Sequence, residues 1–388
     1  MRNKSLDILF EASPMIDNTK TGIGYYVDFL IRKLGEQANG KNLHGYYFDF
    51  LNTNHKKTPS IPGVTFRKIL LIPGKILSVT RRLGFQPPLE LFTSTRSADI
   101  VFYTNYVALR AIRRRKIALA VYDLSFLDCP EFTQPVNLTY LRRFCPPSIN
   151  SADLIITISE FTKQRLLHYY PDMRAEIIVT PIPPVADTVI RSDTIPERLS
   201  SLGIQANKYI LYLGTIEPRK NIKQLVESYA LLPQEIRDAY SLVLAGGKGW
   251  KDEEILEAIA AAIRAGCNII QTGYISDEEK IALYSNARCF TMPSHYEGFG
   301  MPIFEAMQYD VPVATSDIPV FREVAKDAVL YFDKENPTDI AEKLALLLSD
   351  EKLQQKLIRS GRERLQAYSW EENARIVAAA LEQLSSTR

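Results

Sequence analysis

The sequence predicts an α/β protein of two doubly wound domains, each a parallel sheet covered by helices. Three observations carry this. The chain has 388 residues, which at about 150 residues per domain gives two or three. Short, continuous apolar runs alternate with helical patterns throughout, and continuous runs mark strands buried on both faces of a parallel sheet. A proline-dense stretch, Thr180-Pro181-Ile182-Pro183-Pro184-Val185, divides the two series and can continue neither strand nor helix.

In the first half the predicted strands are Leu6–Ala12, Gly45–Phe50, Asp99–Tyr103, Ile117–Tyr122, Asp153–Ile158 and Glu176–Thr180. In the second they are Lys208–Leu213, Ser241–Ala245, Asn268–Gln271, Arg288–Met292, Val311–Thr315 and Ala328–Phe332. Helical patterns lie between them, as at Tyr25–Leu34 and Ser276–Asn286, and Trp370–Gln383 reads as a final amphipathic helix. The domains are expected at 1–185 and 206–369, joined by a polar connector. In open sheets of this kind ligands bind beyond the carboxyl ends of the strands, here around one central cleft.

Composition removes several classes. No run approaches the ~18 apolar residues of a spanning helix. The apolar stretch near the start is cut by Asp7 and Glu11, so no signal peptide is read and the expected location is cytoplasmic. Cys129, Cys145, Cys267 and Cys289 have no metal-binding spacing and read as reduced structural thiols. Net charge is +2, but it is unevenly spread. Residues 1–190 carry 24 Lys and Arg against 16 Asp and Glu; residues 191–388 carry 23 against 29.

Three segments carry candidate chemistry. Thr21-Gly22-Ile23-Gly24-Tyr25-Tyr26 follows the first strand and precedes a helix. It reads either as a backbone approach to phosphate or sugar at a helix start, or as a plain glycine turn. Val27 stands where a dinucleotide fingerprint needs a third glycine. Next, Gly214-Thr215-Ile216-Glu217-Pro218-Arg219-Lys220-Asn221 leads from strand to helix, with Arg219 and Lys220 expected at the helix amino terminus. Cations there make sense beside an anionic ligand; otherwise the pair is a solvated loop edge. Last, Ser294-His295-Tyr296-Glu297-Gly298-Phe299-Gly300-Met301-Pro302-Ile303-Phe304-Glu305 places Glu297 in a glycine-rich loop and Glu305 in the first turn of a helix opened by Pro302. Two carboxylates flanking backbone N–H groups suit sugar hydroxyls and an anion. For Glu305 alone, complementing the helix dipole is the simpler reading.

Glu297 to Glu305 resembles the Glu-x7-Glu motif of retaining glycosyltransferases with the two-Rossmann-domain GT-B fold, glycosyltransferase family 4 most of all. Ile210–Asn221, Leu242–Trp250, Thr272–Asn286, Ala152–Phe161, Thr21–Tyr25 and Asp123–Phe126 match as well, in the family's order. The resemblance implies that Glu297 contacts the donor sugar and Glu305 the ribose. Backbone N–H groups from Gly298 through Phe299, Gly300, Met301 and Pro302 to Ile303 would then face the sugar and diphosphate. Lys220 matches the family's diphosphate lysine. The usual arginine is replaced by Thr215, with Arg219 as its substitute. Gly22 and Gly24 would face the phosphates, and Tyr274, Ile275 and Lys280 the base edge. Tyr122-Asp123 stands where many relatives have His-Asp, so Tyr122 would supply a hydrogen bond but no cation, and Asp123 would face the acceptor or hold a turn. The first domain would take the acceptor and the second the nucleotide, with helix 370–388 packing back on the first.

The reaction so implied moves a hexose, first guess mannose from GDP-mannose, to a glycan or lipid-linked acceptor in surface polysaccharide synthesis. The positive groups would stabilise the departing diphosphate without a metal or cofactor. Residues 51–120 hold 13 Lys and Arg and two acids, including the amphipathic Ile72–Leu83 and the run Arg113–Lys116. That suits docking on an anionic membrane surface, or is a solvated basic face. No aromatic-interleaved module suggests nucleic acid. Two competing readings are a sugar-nucleotide epimerase on the same fold and a non-catalytic sugar-nucleotide binding protein.

Overall fold

The structure, a computed structural model, describes residues 5–17, 21–37, 40–49, 56–70, 88–91, 93, 98–109, 115–184 and 195–386. The chain forms two compact units: Met1–Ile182 with Ser369–Arg388, and Pro183–Tyr368.

The first unit is built on seven parallel strands: β1 (Leu6–Glu11), β2 (Lys41–Phe48), β3 (Val64–Ile69), β4 (Ile100–Tyr103), β5 (Lys116–Ala120), β6 (Leu154–Thr157) and β7 (Glu176–Val179). Their order is β3-β2-β1-β4-β5-β6-β7. β4 and β6 are buried along their whole length, as continuous apolar runs require. β3 is the strand the sequence does not reveal. It lies at the sheet edge, and its residues alternate between part-buried and exposed up to a buried Ile69, with Arg67 and Lys68 among them. An edge strand needs no continuous apolar run.

The glycine segment also differs from expectation. The helix Gly22–Glu36 begins at Gly22 itself, so both glycines lie in its first turn and neither has positive φ. The last helix, Trp370–Ser386, packs on this one. Trp370 stacks on Phe29 at 5.2 Å and lies 5.8 Å from Tyr26. Asn373 donates to the Pro181 carbonyl, while Lys33 pairs with Glu371 at 2.9 Å and Lys41 with Glu382 at 2.6 Å. Two aromatic contacts, a hydrogen bond and two ion pairs thus tie this helix to the first unit.

The second unit has six parallel strands: β8 (Tyr209–Leu213), β9 (Ser241–Ala245), β10 (Ile269–Gly273), β11 (Cys289–Met292), β12 (Val313–Ser316) and β13 (Leu330–Phe332). Their order is β10-β9-β8-β11-β12-β13. The chain winds outward from β8 through β9 to β10, and from β11 through β12 to β13, so β8 and β11 meet at the switch point. The strands approach closely at their carboxyl ends. A Cβ on Gly246, whose φ is +146°, would sit 2.0 Å from the Gly214 carbonyl oxygen. Ile210, Tyr212, Leu242 and Leu244 bury one face of this sheet under Ile222, Leu225, Ile255 and Ile259.

The four cysteines are buried thiols, outside any disulfide, and burial pushes Cys145 and Cys289 up to about 12. No described helix is long and apolar enough to cross a membrane. The segment Ile72–Leu83 and Arg113 and Arg114 lie outside the described residues. Of the basic surplus that is described, Lys56 pairs with Asp17 at 2.5 Å, Lys68 with Asp49 at 3.2 Å and Lys116 with Asp153 at 3.6 Å.

Candidate active site

The switch point of the second unit gathers the acidic and basic groups. Ligands of open parallel sheets bind there because the two outgoing loops diverge and leave a crevice. The loop after β8 runs through Gly214 and Thr215 to a 3-10 turn at Pro218–Lys220. Asn221 follows in the left-handed region, φ 56°, with its side chain donating to the Lys334 carbonyl at 2.8 Å. Only then does the helix Ile222–Ala230 begin. Arg219 and Lys220 therefore lie ahead of the helix, not in its first turn. Asparagine is one of the few residues that tolerates the left-handed link at low cost.

The loop after β11 brings Glu297 onto this turn. Glu297 is 8% exposed. Its Oε1 accepts from Lys220 Nζ at 2.6 Å and from Ser294 Oγ at 2.9 Å, and its Oε2 lies 2.9 Å from the Arg219 guanidinium. Burial pushes this carboxyl up, but Arg219 and Lys220 together outweigh burial and hold it at about 2 against an ordinary 4.5. Arg219 also donates from Nε and a terminal nitrogen to Glu217 Oε1 at 3.1 and 2.7 Å, and to the Tyr296 carbonyl at 2.8 Å. Glu217 is 2% exposed. Two buried carboxylates and two part-buried cations thus form one cluster of zero net charge. The sequence reading singles out the cations and Glu297 but not Glu217, whose only signal is an acid two residues before Arg219 at a strand end.

Gly300 caps the next helix, Met301–Gln308, with φ +101°. A Cβ there would lie 2.6 Å from the Phe321 ring, so glycine is required on both counts. Not every backbone group from Gly298 to Ile303 can serve a ligand. Pro302 carries no N–H, and that of Ile303 donates to the Gly300 carbonyl at 3.0 Å. The Phe299 side chain belongs to the interior, edge-on to Phe304 and Tyr368.

Glu305 is the fifth residue of its helix and lies beyond the first turn, which corrects the dipole reading. Its Oε1 pairs with Lys280 at 3.2 Å and its Oε2 accepts from the Tyr284 hydroxyl at 2.9 Å. Both partners sit on the helix Asp277–Ser285, which is fixed by a capping box between Ser276 and Glu279. Lys280, expected at the base edge, is thus engaged by Glu305. Tyr284, absent from the sequence reading, is buried and stacked on Tyr309 at 5.9 Å. Tyr274 follows β10 and is 73% exposed, with Ile275 part-buried beside it. Thr215 is exposed after Gly214.

Two further candidates belong to the first unit. Tyr122 is buried between Tyr26 and Tyr106, and its hydroxyl donates to the Thr104 carbonyl at 2.7 Å. Its proton is therefore committed inside the domain, which corrects the expected replacement of the family's histidine. Asp123 Oδ1 accepts from the Ser125 N–H and hydroxyl at 3.0 and 2.8 Å, so a turn role is realised. Among the described residues no three His, Cys, Asp or Glu side chains group as a metal site.

The fold agrees with what comparison with known proteins gives. The family model described as glycosyl transferases group 1 matches residues 196–364. The chain belongs to this family of glycosyltransferases. It is 30% identical over 373 residues to the O-antigen chain mannosyltransferase B of Escherichia coli, covering 94% of this chain and 97% of that one. It is 28% identical over 227 residues to the O-antigen chain mannosyltransferase RfbU of Salmonella typhimurium, 58% of each chain. The fold is similar to that of a sucrose-phosphate synthase from Thermosynechococcus elongatus, with a TM-score of 0.74 over 98% of this chain and 99% of that one at 18% identity.

Proposed function

We propose that this glycosyltransferase is a retaining, family 4 hexosyltransferase that takes mannose from GDP-mannose and passes it to a glycan or lipid-linked acceptor in surface polysaccharide synthesis. The observation that carries the reading is the buried Glu297 carboxylate, held ionised by Lys220 and Arg219 at the switch point. The mannosyl and O-antigen assignments are supported by the names of the two relatives above.

In this reading the sugar–phosphate bond breaks as the new sugar–oxygen bond forms. Positive charge develops on the sugar ring and negative charge on the diphosphate. Glu297 faces the ring. Lys220 and the backbone N–H groups at the start of Met301–Gln308 meet the diphosphate, so no metal ion is called for. Glu305 takes the ribose hydroxyls, with Lys280 and Tyr284 fixing its two oxygens, and Tyr274 and Ile275 edge the base. The first unit takes the acceptor, and the start of its helix Gly22–Glu36 offers backbone N–H groups to phosphate. Its basic surplus supports docking on an anionic membrane surface.

A panel of sugar nucleotides, read by thermal shift, donor hydrolysis and transfer, tests the donor. GDP-mannose is expected to stabilise and be consumed without added metal, with α-linked product. Glu297→Ala and Lys220→Ala are expected to lose turnover by about 10²-fold or more while remaining monodisperse. Wild-type turnover in either variant overturns the site. Isomerised donor without acceptor would mark an epimerase, and stabilisation without transfer a binding protein. Flotation with anionic liposomes at low and high salt tests the membrane surface.

A further inference from the structure

We infer that Glu217 and Arg219 act as a positioning pair for Glu297, and that Arg219 serves the Ser294–Glu297 loop and not the departing diphosphate. This rests on the reading of Glu297 as the group that faces the donor sugar. The fork of Arg219 is committed on all sides. Nε and one terminal nitrogen hold Glu217 Oε1, while the other terminal nitrogen holds the Tyr296 carbonyl and lies 2.9 Å from Glu297 Oε2. The main chain repeats the tie, with the His295 N–H donating to the Arg219 carbonyl at 2.9 Å. A guanidinium is planar and presents its donors in fixed directions. Turning it toward a phosphate breaks these bonds and leaves Glu217, 2% exposed, as an unpaired buried charge. Glu217 therefore holds Arg219 in place, and Arg219 holds the carbonyl and carboxylate of two successive loop residues. Lys220 differs. Its charge sits on a flexible stem with three donors, and it contacts Glu297 Oε1. It can hold that carboxylate and turn toward a phosphate as well.

The test uses the full chain and GDP and UDP as nucleotide probes. Glu217→Gln, Arg219→Met and Arg219→Lys are each expected to lower kcat at saturating donor by about 10²-fold, the scale of a small misplacement at a reacting centre. Affinity for the nucleoside diphosphate should stay within about threefold of wild type, because the diphosphate is not their partner. Preserved nucleotide binding also reports that each variant is folded. The double variant Glu217→Gln with Arg219→Met should be no slower than the worse single variant, since the two act as one unit. Arg219→Lys keeps the charge and loses the fork, so a lysine that restores turnover overturns the inference. So does a tenfold or greater loss of nucleoside diphosphate affinity in Arg219→Met with normal turnover in Glu217→Gln. A wild-type chain that binds and consumes no donor in the panel overturns the reading of the site itself, and is told apart by that control.

Discussion

Glu297 gathers a hydroxyl, an ammonium and a guanidinium around one carboxylate, and this sets its titration. Its folded value is depressed from 4.5 to about 2. A depressed carboxyl stabilises the fold above its unfolded value, and that contribution is lost as pH falls through the folded value. The difference in unfolding free energy between wild type and Glu297→Gln should be constant above about pH 4.5 and shrink toward pH 2. Urea titrations at stepped pH measure it. Gly300 is another residue whose identity is forced. Gly300→Ala should lose about 1–3 kcal/mol through a strained left-handed residue, with further loss from the 2.6 Å approach to Phe321. The shift of the denaturant midpoint checks this. Glu297 and Glu305 are legible in the sequence because they lie within nine residues of each other in one glycine-rich stretch. Glu217 and Tyr284 are not: Glu217 gains its meaning through Arg219, whose guanidinium reaches Glu297 far along the chain, and Tyr284 through its bond to Glu305, 21 positions away.

At the scale of elements, most strands can be read from continuous apolar runs. β3 cannot, since an edge strand is free to alternate and carry charge. The sequence also misjudges how helices begin. It starts one helix after Gly24 where it begins at Gly22, and it puts Arg219 and Lys220 into a helix that starts only after Asn221. In each case local glycine or proline chemistry admits several turns, and tertiary bonds choose among them. The helix Asp277–Ser285 exists in both readings, but its task emerges from the fold: Lys280 and Tyr284, one turn apart, fix the two oxygens of Glu305. Tyr284→Phe keeps the stacked ring and removes one donor. Donor KM is expected to rise about fivefold, the value of about 1 kcal/mol of hydrogen bonding, with kcat little changed. Steady-state kinetics at varied donor would show this split, and a fall in kcat with unchanged KM would count against it.

At the scale of the whole molecule, the surplus of basic residues in the first half is partly absorbed by local pairs such as Lys68 with Asp49 and Lys116 with Asp153. The charge count is therefore a poorer guide to an anionic partner than it looks in the sequence. The two units carry one tryptophan each, Trp250 and Trp370. Trp370→Ala removes the ring stacked on Phe29 and is expected to cost the first unit about 3 kcal/mol. Calorimetry should show one transition lowered and the other unmoved, and the Trp250 fluorescence of this variant should follow the unmoved one.

The same helix has a consequence for synthesis. The second unit closes at Tyr368, whereas the first still lacks Trp370, Asn373 and the partners of Lys33 and Lys41 until Glu382 has been made. On the ribosome, the half of the molecule that is translated first is completed last. Its unfinished surface, with Tyr26 and Phe29 waiting for Trp370, is exposed while the whole second unit is being made.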